Sequence, residues 1–204
     1  MQSLVIASKN AHKIEEFKSL LSPWNIDVHG LPESVPDSPE NGSTFEANAM
    51  EKAVFYASFV DDWVLADDSG LCVDALGGRP GVHSARYSGV HGDDAANRQK
   101  LLGELAGCET EERTGAFACA IAIYNRRLAC GLVVRADVTG YITDTERGTG
   151  GFGYDPLFYV PSARQTFAEL SPEAKNRLSH RAKAVLRLME RWKGGERNAP
   201  LCGE

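Results

Sequence analysis

The 204 residues are enough for one substantial hydrophobic core or two joined smaller ones, in a composition ordinary for a globular protein. A formal charge of −6 excludes a general nucleic-acid binder, which gathers Lys and Arg to displace counterions from phosphate. No apolar run reaches membrane-spanning length, and the start lacks a secretory pattern, so a cytoplasmic protein with no membrane partner is expected. The five cysteines are an odd number without a Cys-x-x-Cys pair, which fits reduced, packed thiols.

Leu4 to Ala7 form a short apolar run that predicts a strand, and Ile14, Phe17, Leu20 and Leu21 have helical spacing. Between them, Ser8-Lys9-Asn10-Ala11-His12-Lys13 brings a hydroxyl, an amide and ammonium groups to a helix start, where backbone N–H groups attract phosphate. A plain N-cap by Ser8 or Asn10 with solvated lysines explains the same residues, and suits Lys9 and His12 better than Lys13. Residues 22–43 hold four prolines and read as an extended connection. Ser43-Thr44-Phe45-Glu46 has capping-box spacing. It opens a helix with Phe45, Ala49, Ala53, Tyr56 and Val60 on its apolar face; Asn48 and Lys52 are expected on the solvated one.

Trp63 to Ala66 predict a second short strand, with Asp67-Asp68-Ser69-Gly70 as its sharp exit. Adjacent carboxylates repel unless a proton or a cation lies between them, and a hard ion such as Mg2+ prefers oxygen ligands. Good turn residues account for the four letters equally well. Asp93 or Asp94 caps a helix carrying Leu101, Leu102 and Leu105 and ending near Gly107. Phe117, Cys119, Ile121 and Ile123 alternate with small residues, Asn125-Arg126-Arg127 turns the chain, and residues 128–138 complete a buried antiparallel hairpin.

Gly148-x-Gly150-x-x-Gly153 matches the dinucleotide fingerprint in letters only, because Tyr154-Asp155-Pro156 opens no helix and the next apolar run reads as strand. What is left is a flexible loop whose backbone can approach a ligand and whose Phe152 or Tyr154 can stack on a flat ring, or else tuck into the core. Ser171-Pro172 starts a helical turn. Ser179-His180-Arg181 opens the last helix, striped by Ala182, Val185, Leu186, Met189 and Trp192, before a polar tail over 194–204.

A carboxylate cluster, an anion-binding helix start, a glycine-aromatic loop and the basic Lys175…His180-Arg181 group are the parts that a nucleoside triphosphate with Mg2+ requires. In order along the chain stand Ser8-x-Asn10-x-x-Lys13, Glu40-x-Gly-x-Thr-Phe-x-x-Asn48-Ala, Asp67-Asp68-Ser69-Gly70-Leu71, Gly78-x-Pro80-Gly81-x-x-Ser84-Ala-Arg86-Tyr87, Gly150-Gly151-Phe152-Gly153-Tyr154-Asp155-Pro156 and Ser179-His180-Arg181. This set resembles the ITP/XTP pyrophosphatases, also called dITP/XTP diphosphatases, over residues 1 to about 192.

The resemblance implies an α/β fold: an elongated mixed β-sheet flanked by helices, in two lobes around a central substrate cleft, as a single domain over 1–193. It further implies a homodimer that uses Mg2+ and cleanses the nucleotide pool of noncanonical purine nucleoside triphosphates (ITP, dITP, XTP), hydrolysing each to the monophosphate and pyrophosphate. By position, Ser8, Lys9, Asn10, Ala11, His12 and Lys13 would hold the triphosphate. Glu40 and Asp68 would ligate Mg2+ with Asp67 in support; Asp68 would also take the proton of the attacking water, and Lys13 would stabilise the departing oxygens. Ser69 would touch substrate, while Phe152, Gly153, Tyr154, Asp155, Lys175, His180 and Arg181 would surround base and sugar. Ser8 stands where Thr is commoner, and Lys9 where Gly is common. Two other readings stay open: a nucleotide-binding module without catalysis, and a pyrophosphatase of modified pyrimidine triphosphates.

Overall fold

The computed structural model describes residues 2–32 and 34–194, so the expected tail lies, beyond Gly194, outside the described residues, as does Cys202. Strands β1 (Gln2–Ile6), β2 (Ile26–Gly30), β3 (Trp63–Val73), β4 (Thr114–Asn125), β5 (Cys130–Ile142), β6 (Phe158–Val160) and β7 (Gln165–Thr166) form one sheet in the order β2-β1-β3-β4-β5-β6-β7. The helices are α1 (Ala11–Leu21), α2 (Phe45–Tyr56), α3 (Asp94–Glu104), α4 (Pro172–Leu178) and α5 (His180–Gly194). β1 pairs in parallel with β2 and with β3, whereas β5–β6 and β6–β7 are antiparallel. The sheet is therefore mixed, and the α/β class expected from the sequence is the one observed.

β2 was hidden by its surroundings. The prolines at 23 and 32 bracket Ile26–Gly30 rather than interrupt it, and Ile26 and Val28 pack against the core on alternate positions. β3 is longer than expected: Asp67-Asp68-Ser69-Gly70 lies inside the strand, not at its exit. Leu71 and Val73, both fully buried, continue the alternation past the acidic pair. Residues 126–129 join β4 to β5, with Asn125 Oδ1 accepting from Leu128 N at 3.1 Å, as the hairpin reading required.

Caps set the helix starts. Thr44, not Ser43, caps α2 by accepting from Ala47 N at 3.1 Å, so no capping box forms there. Asp93 caps α3 through Ala96 N at 3.0 Å, and the helix ends at Glu104. In α5, Leu186 is 51% exposed, and Ala184 and Leu188 take the buried places expected of it.

By contact the chain divides into two compact units. The first takes in the chain to Asp68, Cys119–Ala136 and the chain from Arg181; the second takes in Ser69–Ala118 and Asp137–His180. Each has its own core. Leu4, Phe17, Leu65, Ile121, Val185 and Leu188 anchor the first, where Trp63 and Trp192 meet edge to face at 5.5 Å and Trp24 packs alongside. Leu71, Leu101, Phe117, Leu157, Phe158 and Phe167 anchor the second.

Candidate active site

In the first unit the site starts where β1 gives way to α1. Ser8 Oγ accepts from Asn10 N at 3.1 Å, and Asn10 Oδ1 caps the helix by accepting from Lys13 N at 3.2 Å. The cap fixes the helix start that the sequence offers to an anion. Lys9 instead pairs with Asp37 at 2.8 Å on the surface, a solvated contact.

Inside β3, neighbouring side chains point to opposite faces, so the two adjacent aspartates meet different partners. Lys13 Nζ donates to both oxygens of Asp67, at 3.1 and 2.9 Å, and Arg181 Nη2 lies 3.6 Å away. Arg181, 2% exposed, is also bonded to Glu16. On the other face, Asp68 Oδ2 accepts from Asn48 Nδ2 at 2.9 Å, while Lys52 Nζ lies 3.6 Å from Asp68 Oδ1 and 2.8 Å from Glu40 Oε1. One ammonium thus sits against two carboxylates from separate segments. Asn48 Oδ1 accepts from Gly42 N at 2.7 Å, tying the Glu40 segment to the same amide that holds Asp68.

These surroundings separate the two acids. Burial works to raise Asp67, but Lys13, Arg181 and Lys52 outweigh it and hold its carboxyl well below the ordinary carboxylate range. For Asp68 burial wins: its pKa is raised, against the pull of Lys52 and the Asn48 hydrogen bond. Lys52 is itself buried, yet Asp68, Asp67 and Glu40 outweigh that burial and raise its pKa, so it stays a cation. The surroundings thus favour the charged form of Asp67 and disfavour that of Asp68.

The second unit gathers the aromatic loop. Residues 148–155 are held rather than loose, because Asp155 Oδ2 accepts from Phe152 N at 2.9 Å and from Lys175 Nζ at 2.8 Å. Lys175 Nζ also lies 5.0 Å from the Phe152 ring centre. A Cβ on Gly151 would come within 2.0 Å of Asp155 Oδ2, so only glycine lets the loop close on that carboxylate. Tyr154 is buried, its hydroxyl donating to Ser84 O at 2.9 Å, so its ring belongs to the core and Phe152 is the aromatic left half-buried. His180 stacks on Phe117 at 4.8 Å with planes 7° apart.

The structure therefore sorts the expected residues. Ser8 to Lys13, Glu40, Asp67, Asp68 and Arg181 belong to the first unit; Ser69, Phe152 to Asp155, Lys175 and His180 to the second. Arg181 sits on Glu16 and Asp67. Asn48 and Lys52, expected in solvent, are buried against Asp68 and Glu40, and Glu16 was not foreseen. Spacing held the missing signal: at 100° per residue Lys52 falls between Phe45 and Asn48 and beside Tyr56, on the face turned inward.

A parallel β–α–β start with a capped helix beside a lysine, and two buried adjacent acids with separate partners, define an α/β protein with a charged site at its first helix and third strand. Residues 4–191 match the model of the Ham1 family, and the chain belongs to that family. It is 52% identical over 196 residues to a dITP/XTP pyrophosphatase of Geobacillus kaustophilus, covering 94% of this chain and 95% of that one. It is 47% identical over 190 residues to the Bacillus subtilis protein of the same name, covering 92% and 96%. Among solved structures, the Staphylococcus aureus Ham1 protein superposes with a TM-score of 0.84 at 41% identity, over 96% of this chain and 100% of that one. A HAM1 protein from Coxiella burnetii gives 0.86 at 41% identity with the same coverage.

Proposed function

We propose that this protein hydrolyses dITP, ITP and XTP to the monophosphate and pyrophosphate. The observation that carries this reading is the pairing of Asp68 and Glu40 around one cation, with Asp68 raised in pKa and oriented by Asn48. Full-length relatives at about half identity that bear the pyrophosphatase name support it.

Among the described residues no three His, Cys, Asp or Glu side chains form a metal-binding cluster. The donors nevertheless suit Mg2+, which takes one or two carboxylates and completes its shell with water and phosphate oxygens. Glu40 and Asp68 are hard oxygen donors already converging on a positive charge, that of Lys52. We assign these two as ligands and Asp67 to Lys13, since both Asp67 oxygens accept from that ammonium. When bound, the ion supplies charge neutralisation on the triphosphate.

In the proposed reaction the oxygen of a water forms a bond to the α-phosphorus as the bond to the β-bridging oxygen breaks. Asp68 takes the water's proton, and pyrophosphate leaves with the bonding pair. Lys13, braced by Asp67, stabilises charge on the departing oxygens together with the start of α1. In the second unit, Phe152 offers a ring face and the loop backbone offers hydrogen-bonding groups to a purine; the 6-keto group of hypoxanthine or xanthine is an acceptor where adenine has a donor. A homodimer in the cytoplasm completes the proposal, on the resemblance alone.

The test is a side-by-side assay of ITP, dITP, XTP, GTP, ATP and dUTP with and without Mg2+, with products separated by ion exchange. Monophosphate plus pyrophosphate from the first three, dependent on the ion, is expected. Release of single phosphate, preference for dUTP, or binding of ITP without turnover would overturn the reading.

A further inference from the structure

Asp93 caps α3, which leaves the next residue, Asp94, for other work. Asp94 Oδ2 accepts from Gly153 N at 2.7 Å, and one turn further along the same helix face Arg98 Nη1 donates to Gly153 O at 2.9 Å. Glu146 Oε1 accepts from Arg98 Nε at 2.8 Å and steers the guanidinium. Both hydrogen bonds to Gly153 involve a charged side chain, the stronger kind. The preceding peptide is fixed independently, by Asp155 on Phe152 N. The two peptide groups flanking the Phe152 α-carbon are thus each tied to a carboxylate, and the direction of its ring is set from both sides. Gly153 itself sits at φ 62°, a conformation that glycine adopts without strain and that presents its N–H and C=O to the two α3 side chains.

We infer that Asp94 and Arg98 are positioning residues for base recognition: a clamp on α3 that sets the loop of residues 148–155, and with it the Phe152 ring. The inference rests on the proposed function for its kinetic part, since Phe152 is there given to the purine. The clamp itself stands on geometry within one unit.

The test uses the full chain with Asp94→Ala, Asp94→Asn and Arg98→Met, and Leu105→Ala as a control that loosens the second core at the far end of α3. Two quantities are read: amide hydrogen exchange of residues 148–155, and kcat and KM for ITP and ATP. In Asp94→Ala the loop is expected to exchange roughly tenfold faster or more, and KM for ITP to rise roughly tenfold with kcat within about twofold. Preference for ITP over ATP falls with it. Arg98→Met shifts both readouts in the same direction, and Asp94→Asn, which keeps an acceptor oxygen, restores part of each. Leu105→Ala lowers the melting temperature and moves neither. Unchanged loop exchange in Asp94→Ala, or an equal rise in KM in Leu105→Ala, overturns the inference. If the unaltered chain does not split ITP, the proposed function falls, and loop exchange alone still decides the clamp.

Discussion

Two adjacent aspartates of identical chemistry end with opposite properties because each meets a different set of cations. Asp67 is buried against Lys13 and Arg181, so replacing it by Asn takes the carboxylate from a half-buried lysine and leaves the buried Arg181 with Glu16. Asp67→Asn is expected to cost about 3 kcal/mol and to abolish the brace on Lys13. Asp68 has a raised pKa, so its charge is a cost at neutral pH. Asp68→Asn is expected to leave stability unchanged or higher while lowering turnover by about a hundredfold or more. The signs differ with pH. The stability that Asp67 contributes is fully present above about pH 4, the unfolded value, and is lost as pH falls through its depressed folded pKa. The cost of Asp68 is relieved as pH falls through its raised one. Urea midpoints across the acid range, without divalent ions, are expected to fall less steeply for Asp67→Asn than for the parent chain, and more steeply for Asp68→Asn. The opposite facing of the two side chains was not read, because the pair was expected at the strand's exit and not inside it. Nor were their partners, because Lys13 stands 54 residues from Asp67 in sequence.

Helix α2 shows where pattern reading loses a site. Lys52 and Asn48 lie on the inward face, and a count that sorts apolar from polar letters assigns them to solvent even though their angles place them with Phe45 and Tyr56. Burial of a lysine is tolerated here chiefly because Glu40, 2.8 Å away, compensates it, and Glu40 lies outside the helix. Lys52→Met is expected to lower the melting temperature of the metal-free protein by leaving two carboxylates facing each other. Mg2+ is then expected to raise the variant's melting temperature by more than it raises the parent's, and equal shifts by calorimetry would refute Lys52's place at the ion site. Gly42→Ala would press a methyl to 2.7 Å from Asn48 Oδ1 and 2.8 Å from Ala47 Cβ, turning that amide away from Asp68 and crowding the start of α2; both turnover and melting temperature are expected to fall. In α5 the outcome is simpler. Leu188→Ala opens a cavity worth about 2–5 kcal/mol, whereas Leu186→Lys stays within about 0.5 kcal/mol because that side chain already faces water.

The protein has two cores threaded by shared strands: β3 supplies Leu65 to one and Leu71 to the other, and β4 supplies Ile121 and Phe117 in the same way. The mixed α/β class and the buried hairpin could be read from apolar spacing, because both depend on local periodicity. The division into two cores could not, since it depends on which distant segments close around each half of a strand. The three tryptophans, Trp24, Trp63 and Trp192, all belong to the first core, so their fluorescence reports on that unit, while far-ultraviolet circular dichroism reports on both. Because the strands are continuous, the two probes are expected to give one coincident urea transition. A fluorescence change that precedes the dichroism change would show the first core opening alone.

The uninterrupted course of β3 through its acidic pair makes the duty of each aspartate a matter of odd or even place. Insertion of a single residue between Ala66 and Asp67 would turn each aspartate to the opposite face without altering either side chain: Asp67 would take the place of Asp68, and Asp68 would be carried one place beyond it, past the reach of Lys13. Parity along the strand is thus part of this protein's code, and no substitution of letters can stand in for it.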